Sequence, residues 1–334
     1  MGVAVITSGA AAPVRLDLAG GWTDVPPFSA REGGLVVACA IQLFAYAEVR
    51  PARTGFRLVS EDLGDELDLP DVSGLAENGR LSLLKAGIRM LPVGPCTLVT
   101  RSDAPSGSGL GSSGAVDVAL VTALSQARGE ELNVREIAER ACHLEGHEAG
   151  IPGGRQDQFA AAFGGFLRLG FRDPAVEVEP LTLDSATLAE LERRTVLCYT
   201  GASRFSGATI LRVMQAYDRG DPRIAQALHG LREVAERMSD ALQAGDLVKV
   251  GALLSENWRL QQELDPGMRT PDMARLEHAM KEAGAHGGKA AGSGAGGSMF
   301  FLAPDDPTPA LNAVRSLGMQ LLPVRWATEG VRRC

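Results

Sequence analysis

Asp103-Ala-Pro-Ser-Gly-Ser-Gly-Leu-Gly-Ser-Ser-Gly114 is the stretch on which the reading of this chain turns. It follows a β-branched run, Thr97–Thr100, and opens an apolar segment over 115–127 that reads as a helix. A glycine loop between a strand and a helix gathers free backbone N–H groups and the positive helix end on one point, so it is expected to hold phosphate. Gly107, Gly109 and Gly111 let the backbone come close to a ligand, and Ser112 and Ser113 add hydroxyls for a phosphate oxygen or a magnesium ion. Pro105, Ser108 and Leu110 complete the expected phosphate-binding set. No Gly-Lys-Ser/Thr follows, so the loop is not a Walker A sequence.

Gly109-x-Gly111-x-x-Gly114 also satisfies the dinucleotide fingerprint, which makes a dinucleotide-dependent oxidoreductase one alternative. That fingerprint needs a second parallel strand ending in an acid about 20 residues on. Here Glu130 and Glu131 precede another helix instead, opened by the capping-box pair Asn133 and Glu136 and ending near Gly146 or Gly150. A loop rich in glycine only to turn tightly is the other alternative.

Outward from the loop, the first third of the chain reads as β-rich: Val3–Thr7, Arg15–Ala19, Leu35–Val49, Arg57–Ser60 and Thr97–Thr100. After a short strand at Thr195–Thr200, helical patterns follow at 206–218, 222–243, 247–264 and 272–283. A second glycine loop, Gly287–Gly297, runs into the apolar strand Met299–Ala303. The acidic, proline-containing stretch Asp173–Asp184 separates two periodic regions, giving an expected division into 1–188 and 189–334.

Two acids stand out by their surroundings. Asp157 lies in Ile151-Pro-Gly-Gly-Arg-Gln-Asp-Gln-Phe-Ala-Ala-Ala-Phe-Gly-Gly165, where glycine turns and small apolar residues would partly desolvate a carboxylate. Its plainer role is to cap a helix starting at Gln158. Glu145 ends the preceding helix, and a carboxylate with a loop hydroxyl makes a magnesium site when a nucleotide supplies the other ligands; otherwise it is a solvated residue near a helix end. His143 and His147 have i,i+4 spacing, but Leu144 breaks the metalloprotease pattern and they read as ordinary helix residues. A third charged feature is Ala12-Pro-Val-Arg-Leu-Asp-Leu-Ala-Gly-Gly-Trp-Thr-Asp24. Strand alternation there sets Arg15 and Asp17 on one face, and the glycine pair presents Trp22, Thr23 and Asp24. An edge strand with a solvated face is the alternative.

Together, Pro13-Val-Arg15 through Gly20-Gly-Trp-Thr-Asp24, Pro105–Ser113 and Gly287-Gly-Lys-Ala-Ala-Gly-Ser-Gly-Ala-Gly-Gly297 resemble the three ordered motifs of the GHMP kinases. Within that superfamily the Gly-Gly-Arg-Gln-Asp-Gln-Phe segment, Tyr199-Thr-Gly-Ala-Ser-Arg204 and the late Gly-Gly-Lys are most similar to the D-glycero-D-manno-heptose 7-phosphate kinases. The first motif is equally similar to L-fucokinase. The resemblance implies an α+β, two-lobed fold: an N-terminal mixed α/β lobe and a C-terminal ferredoxin-like lobe. It implies ATP and Mg2+, and phosphorylation of an anomeric sugar hydroxyl, first of a heptose 7-phosphate, alternatively of an unphosphorylated sugar such as L-fucose or galactose. It makes Asp157 the base and Arg15 its stabilising cation. Ser113 and Glu145 would hold magnesium, and Asp24 would bind sugar hydroxyls. Thr23, Trp22, Gly154, Arg155, Gln156, Arg204 and Gly294 join the expected substrate set. A 7-phosphate would need cations, for which Arg204, Arg155 and Lys289 are candidates. A non-catalytic sugar-binding protein on the same scaffold is a further alternative.

Composition narrows the classes. With 334 residues and 45% hydrophobic content the chain is long enough for two packed lobes. A net charge of -8 argues against a nucleic-acid partner. Five cysteines without C-x-x-C pairs, and apolar runs far short of about 20 residues, point to a cytoplasmic protein free of membranes. A small-molecule partner and a monomer or homodimer are expected.

Overall fold

A long apolar strand, β2 (Gly34–Pro51), organises the first lobe in the computed structural model, which describes residues 7–76, 79–201 and 207–334. One edge of β2 pairs along its length with β1 (Ser8–Ala19). Its other edge is shared: the N-terminal half takes β6 (Phe166–Arg172) and the C-terminal half takes β5 (Cys96–Ser102). Beyond β5 lie β3 (Phe56–Ser60), parallel to it, and β4 (Asp65–Leu69), while β7 (Ala175–Pro180) forms a hairpin with β6. The expected strand at Arg15–Ala19 begins earlier, at Ser8. The Ala10–Ala12 run has little β-propensity, but it is buried and paired, so tertiary packing overrides propensity there. Of Val3–Thr7, residues 3–6 lie outside the described residues.

The helices of this lobe are α1 (Phe28–Arg31), α2 (Ser82–Met90), α3 (Ser112–Ala127), α4 (Val134–His143) and α5 (Gln156–Phe163). Helix α3 is apolar around its circumference, which suits its place between β1 and β2 on one side and α4 and α5 on the other. Asn133 and Glu136 form the expected capping box at the start of α4, and a π-turn, Leu144–Glu148, continues it. Since α4 rather than a strand follows α3, the dinucleotide alternative lacks the strand it requires.

A second sheet, antiparallel in the order β11-β8-β10-β9, contains β8 (Thr195–Tyr199), β9 (Gly287–Ala290), β10 (Ser298–Leu302) and β11 (Gln320–Leu322). Around it lie α6 (Ser185–Arg194), α7 (Gly207–Asp218), α8 (Pro222–Gln243), α9 (Leu247–Leu264), α10 (Pro271–Glu282) and α11 (Thr308–Ser316). The antiparallel pair α8 and α9 also touches β1, so it joins the two sheets. Three expectations change. The expected linker Asp173–Asp184 contains β7. The division at 188/189 falls inside α6, and the chain end returns to the first sheet, where β12 (Arg332–Arg333) pairs with β1. Residues 287–290 of the second glycine loop are themselves a strand, because each pairs with β10; the loop proper is 291–297.

Candidate active site

The two glycine segments meet backbone to backbone. A side chain on Gly292 would stand 2.6 Å from the Gly109 carbonyl oxygen, and one on Gly297 would stand 2.7 Å from that of Ser108, so neither place admits a Cβ. Ser298 N donates to Ser108 O at 2.7 Å across the same junction. This pins the phosphate loop to the second sheet. Gly111, with φ of +74°, turns the chain into α3, and its missing side chain leaves room for Arg15 and Asp157.

Arg15 and Asp157 form the centre. Arg15 Nε and Nη2 both reach Asp157 Oδ1 at 2.8 Å, while Nη1 donates to Gly109 O at 2.7 Å and Ala291 O at 3.0 Å. Arg15 is buried, so the alternative of a solvated strand face does not hold. Asp157 is the second residue of α5 and keeps about a quarter of its side chain exposed; it does not cap a helix starting at Gln158, because the helix has already begun at Gln156. The pair faces a cavity of about 660 Å³ whose walls include Trp22, Asp24, Gly107, Ser113, Glu145 and Gly292.

Asp24 is fully buried and accepts from Gln156 N at 3.0 Å and Gln156 Nε2 at 3.2 Å. Burial, with Asp157 and Asp17 nearby, pushes its carboxyl up to about 6 against the pull of the Gln156 N–H. The folded chain therefore keeps this proton up to about pH 6, whereas the unfolded chain loses it near its ordinary value of 3.8. Stability from Asp24 is full below the lower value and is lost as pH rises through the upper one. Between about pH 4 and about pH 7.5 the loss is roughly 2 kcal/mol. Denaturant unfolding at both pH values checks this: Asp24→Asn is expected to flatten the pH dependence by that amount, and an unchanged slope refutes the assignment.

Ser113 Oγ donates to Glu145 Oε1 at 2.6 Å, and Gln158 Nε2 donates to Glu145 Oε2 at 2.6 Å. Glu145 is thus a fastened, half-buried residue and not a solvated helix end. Burial and the neighbouring Asp157 raise its carboxyl. Fully buried Asp117, also held by Gln158, lies well above the usual range through burial and the charge of Glu145. A carboxylate and a hydroxyl at the start of α3 fit a hard divalent cation in donor type and in charge. Sequence reasoning missed Gln158 and Asp117; the acid inside the apolar run of α3 was the available signal.

Several expected site residues lie elsewhere. Thr23 is fully buried and closes a turn, donating to Gly20 O and accepting from Leu35 N, because its hydroxyl meets backbone groups before it reaches the cavity. Leu110 points into the core, and Pro105 stays off the cavity wall, with its carbonyl accepting from Ser108 N. Gly294 packs on Met268, so Gly292 and Ser293 line the cavity in its stead. Arg155 is fastened to the β6–β7 turn through Asp173 at 2.9 Å and Pro174 O at 2.7 Å. Lys289 is buried against Asp17. Arg204 lies outside the described residues. Trp22, Asp24, Gly154 and Gln156 do line the cavity; Gly154 lacks a side chain where the Asp24 carboxylate sits. His143 and His147 stack on each other, ring centroids 4.8 Å apart.

Residues 79–165 match the N-terminal domain of the GHMP kinases, and residues 238–318 match their C-terminal domain. A D-glycero-alpha-D-manno-heptose 7-phosphate kinase of Campylobacter jejuni is 32% identical over 314 residues, 91% of each chain. The chain is a GHMP kinase. As such it is a phosphotransferase that uses ATP. This GHMP kinase is also 30% identical to the bifunctional fucokinase/GDP-fucose pyrophosphorylase of Arabidopsis thaliana, over 88% of its own length and 29% of that protein. Among solved structures, a D-glycero-D-manno-heptose 1-phosphate kinase from Bacteroides thetaiotaomicron matches with a TM-score of 0.79 and 28% identity, covering 98% of this chain and 99% of that one. Lactococcus lactis galactokinase, with a TM-score of 0.74 and 20% identity over 98% and 95% of the two chains, shares the kinase's fold. Among the described residues, no helix is long and apolar enough to cross a membrane.

Proposed function

We propose that this kinase transfers the γ-phosphoryl group of ATP to the anomeric C1 hydroxyl of a sugar, with D-glycero-D-manno-heptose 7-phosphate as first substrate and its 1,7-bisphosphate as product. One observation carries the reading: the Arg15–Asp157 pair opens into the cavity between the first turn of α3 and Asp24. The free N–H groups at the start of α3 and the loop amides would hold the phosphates. Both Arg15 contacts to Asp157 land on Oδ1, which among the described residues leaves Oδ2 to meet the substrate. As the C1 oxygen bonds to the γ-phosphorus and ADP leaves, Asp157 accepts the hydroxyl proton. Ser113 and Glu145 would hold Mg2+, which when bound supplies positive charge for the phosphate oxygens. Asp24 and Trp22, both on the cavity wall, would orient the sugar, the carboxyl through its hydroxyls and the indole by packing. The 7-phosphate is supported by the Campylobacter relative, named for a heptose 7-phosphate kinase, and the heptose itself by the Bacteroides structure as well, named for a heptose 1-phosphate kinase.

A second reading, an unphosphorylated sugar such as L-fucose or galactose, is favoured by one observation. Of the three cations suggested for a sugar phosphate, Lys289 and Arg155 already have carboxylate partners. A coupled ADP-release assay on heptose 7-phosphate, L-fucose and D-galactose separates the readings, with phosphorus NMR locating the new phosphate. Turnover of the heptose 7-phosphate, with the new phosphorus coupled to the anomeric proton, is the expected result. Turnover of unphosphorylated sugars alone, or a phosphate elsewhere on the ring, overturns it.

A further inference from the structure

Lys289 is fully buried, and its Nζ donates to both the carbonyl oxygen and Oδ2 of Asp17, at 2.7 Å and 2.9 Å. The partners are 272 residues apart and belong to different sheets, Asp17 to β1 and Lys289 to β9. Asp17 stands two residues beyond Arg15, and Lys289 two residues before Ala291, whose carbonyl accepts from Arg15 at 3.0 Å. Two extended residues span about 7 Å, so the contacts 17–289 and 15–291 are successive rungs of one connection. The second rung carries the pair on which the reaction depends, because the guanidinium that reaches Ala291 O also grips Asp157. From the other side Gln261 Nε2 donates to Gly292 O at 2.7 Å and holds the next residue down on the phosphate loop.

We propose that Asp17 and Lys289 are positioning residues for phosphoryl transfer: the pair sets the register of β9 against β1, so that Ala291 meets Arg15 and Arg15 presents Asp157 to the cavity. The proposal rests on Asp157 being the base. An apolar pair of similar volume would serve stability as well as a buried ion pair. It would not fix register, because hydrophobic contact has no direction. An ammonium shared between two acceptors of one residue does have direction.

Asp17→Asn/Lys289→Met removes both charges together and so leaves no unpaired buried charge. It is expected to keep a thermal midpoint near that of the wild type and an ATP KM within about twofold, while kcat falls by roughly 100-fold, the penalty of a small misplacement of reacting groups. Asp17→Asn alone keeps an acceptor oxygen on the side chain but leaves the Lys289 ammonium buried without its counter-charge, so its midpoint is expected to fall; assayed well below that midpoint and expressed per folded molecule, its kcat is expected to fall by about tenfold, through the weakened hold on Lys289. Wild-type kcat in a folded variant, or a loss of kcat only in step with the folded fraction, overturns the proposal. Asp157→Asn measured in parallel separates the two claims. If it turns over, the base assignment has failed; if it is inactive beside fully active variants at 17 and 289, the positioning role alone has failed.

Discussion

Replacing Asp157 by asparagine is expected to lower kcat by about 10³- to 10⁴-fold while ATP affinity stays within about threefold, since a general base contributes to the chemical step and little to nucleotide binding. Asparagine keeps an oxygen within reach of the Arg15 guanidinium, so α5 stays in place and the phosphate loop keeps its contacts. What disappears is the atom that accepts the hydroxyl proton. Single-turnover rates with calorimetric ATP binding check both halves, and a variant retaining a tenth or so of wild-type kcat would remove Asp157 from the role.

Arg15→Met is expected to lower kcat by about 10²- to 10³-fold and to cost about 3 kcal/mol of stability. Arg15 is buried and bonds to three segments: α5 through Asp157, the phosphate loop through Gly109 O, and the second glycine loop through Ala291 O. Methionine fills the volume and leaves two carbonyls and one carboxylate without this donor. Asp157 keeps some exposure to water, which holds the stability loss toward the low end for a buried ion pair. Arg15→Lys is expected to recover part of the stability and little of kcat, because one ammonium cannot reproduce a planar fork that spans three acceptors. Full activity of Arg15→Lys, measured with thermal unfolding on the same preparation, would show that charge alone suffices.

Legibility followed the range of the physics. The phosphate loop, α3 and the capping box of α4 were readable because each depends on residues a few positions apart. Among missed elements, β7 carries acids and a proline that read as a linker, and it is a strand only because β6 offers it an edge. Thr23 illustrates a different failure. Its motif neighbours Trp22 and Asp24 reach the cavity, while its hydroxyl is taken by backbone groups of the turn. Arg155 and Lys289 were sensible candidates for a sugar phosphate by type and motif, yet the carboxylates that engage them were invisible without the fold.

By itself, then, the sequence determined the strand–loop–helix that faces phosphate, the shared face of Arg15 and Asp17, and the acids Asp24, Glu145 and Asp157 as the chemistry to be arranged. These follow from backbone periodicity and free helix-end groups, which act over a turn or two. Tertiary structure alone decided which of them meet. It brought Ala291 and Lys289 onto β1, joined Asp117 to Glu145 through Gln158, and turned Arg155 out to the β6–β7 hairpin. Such contacts join residues far apart in the chain, and they exist only once two sheets and the helices between them have packed into a single register.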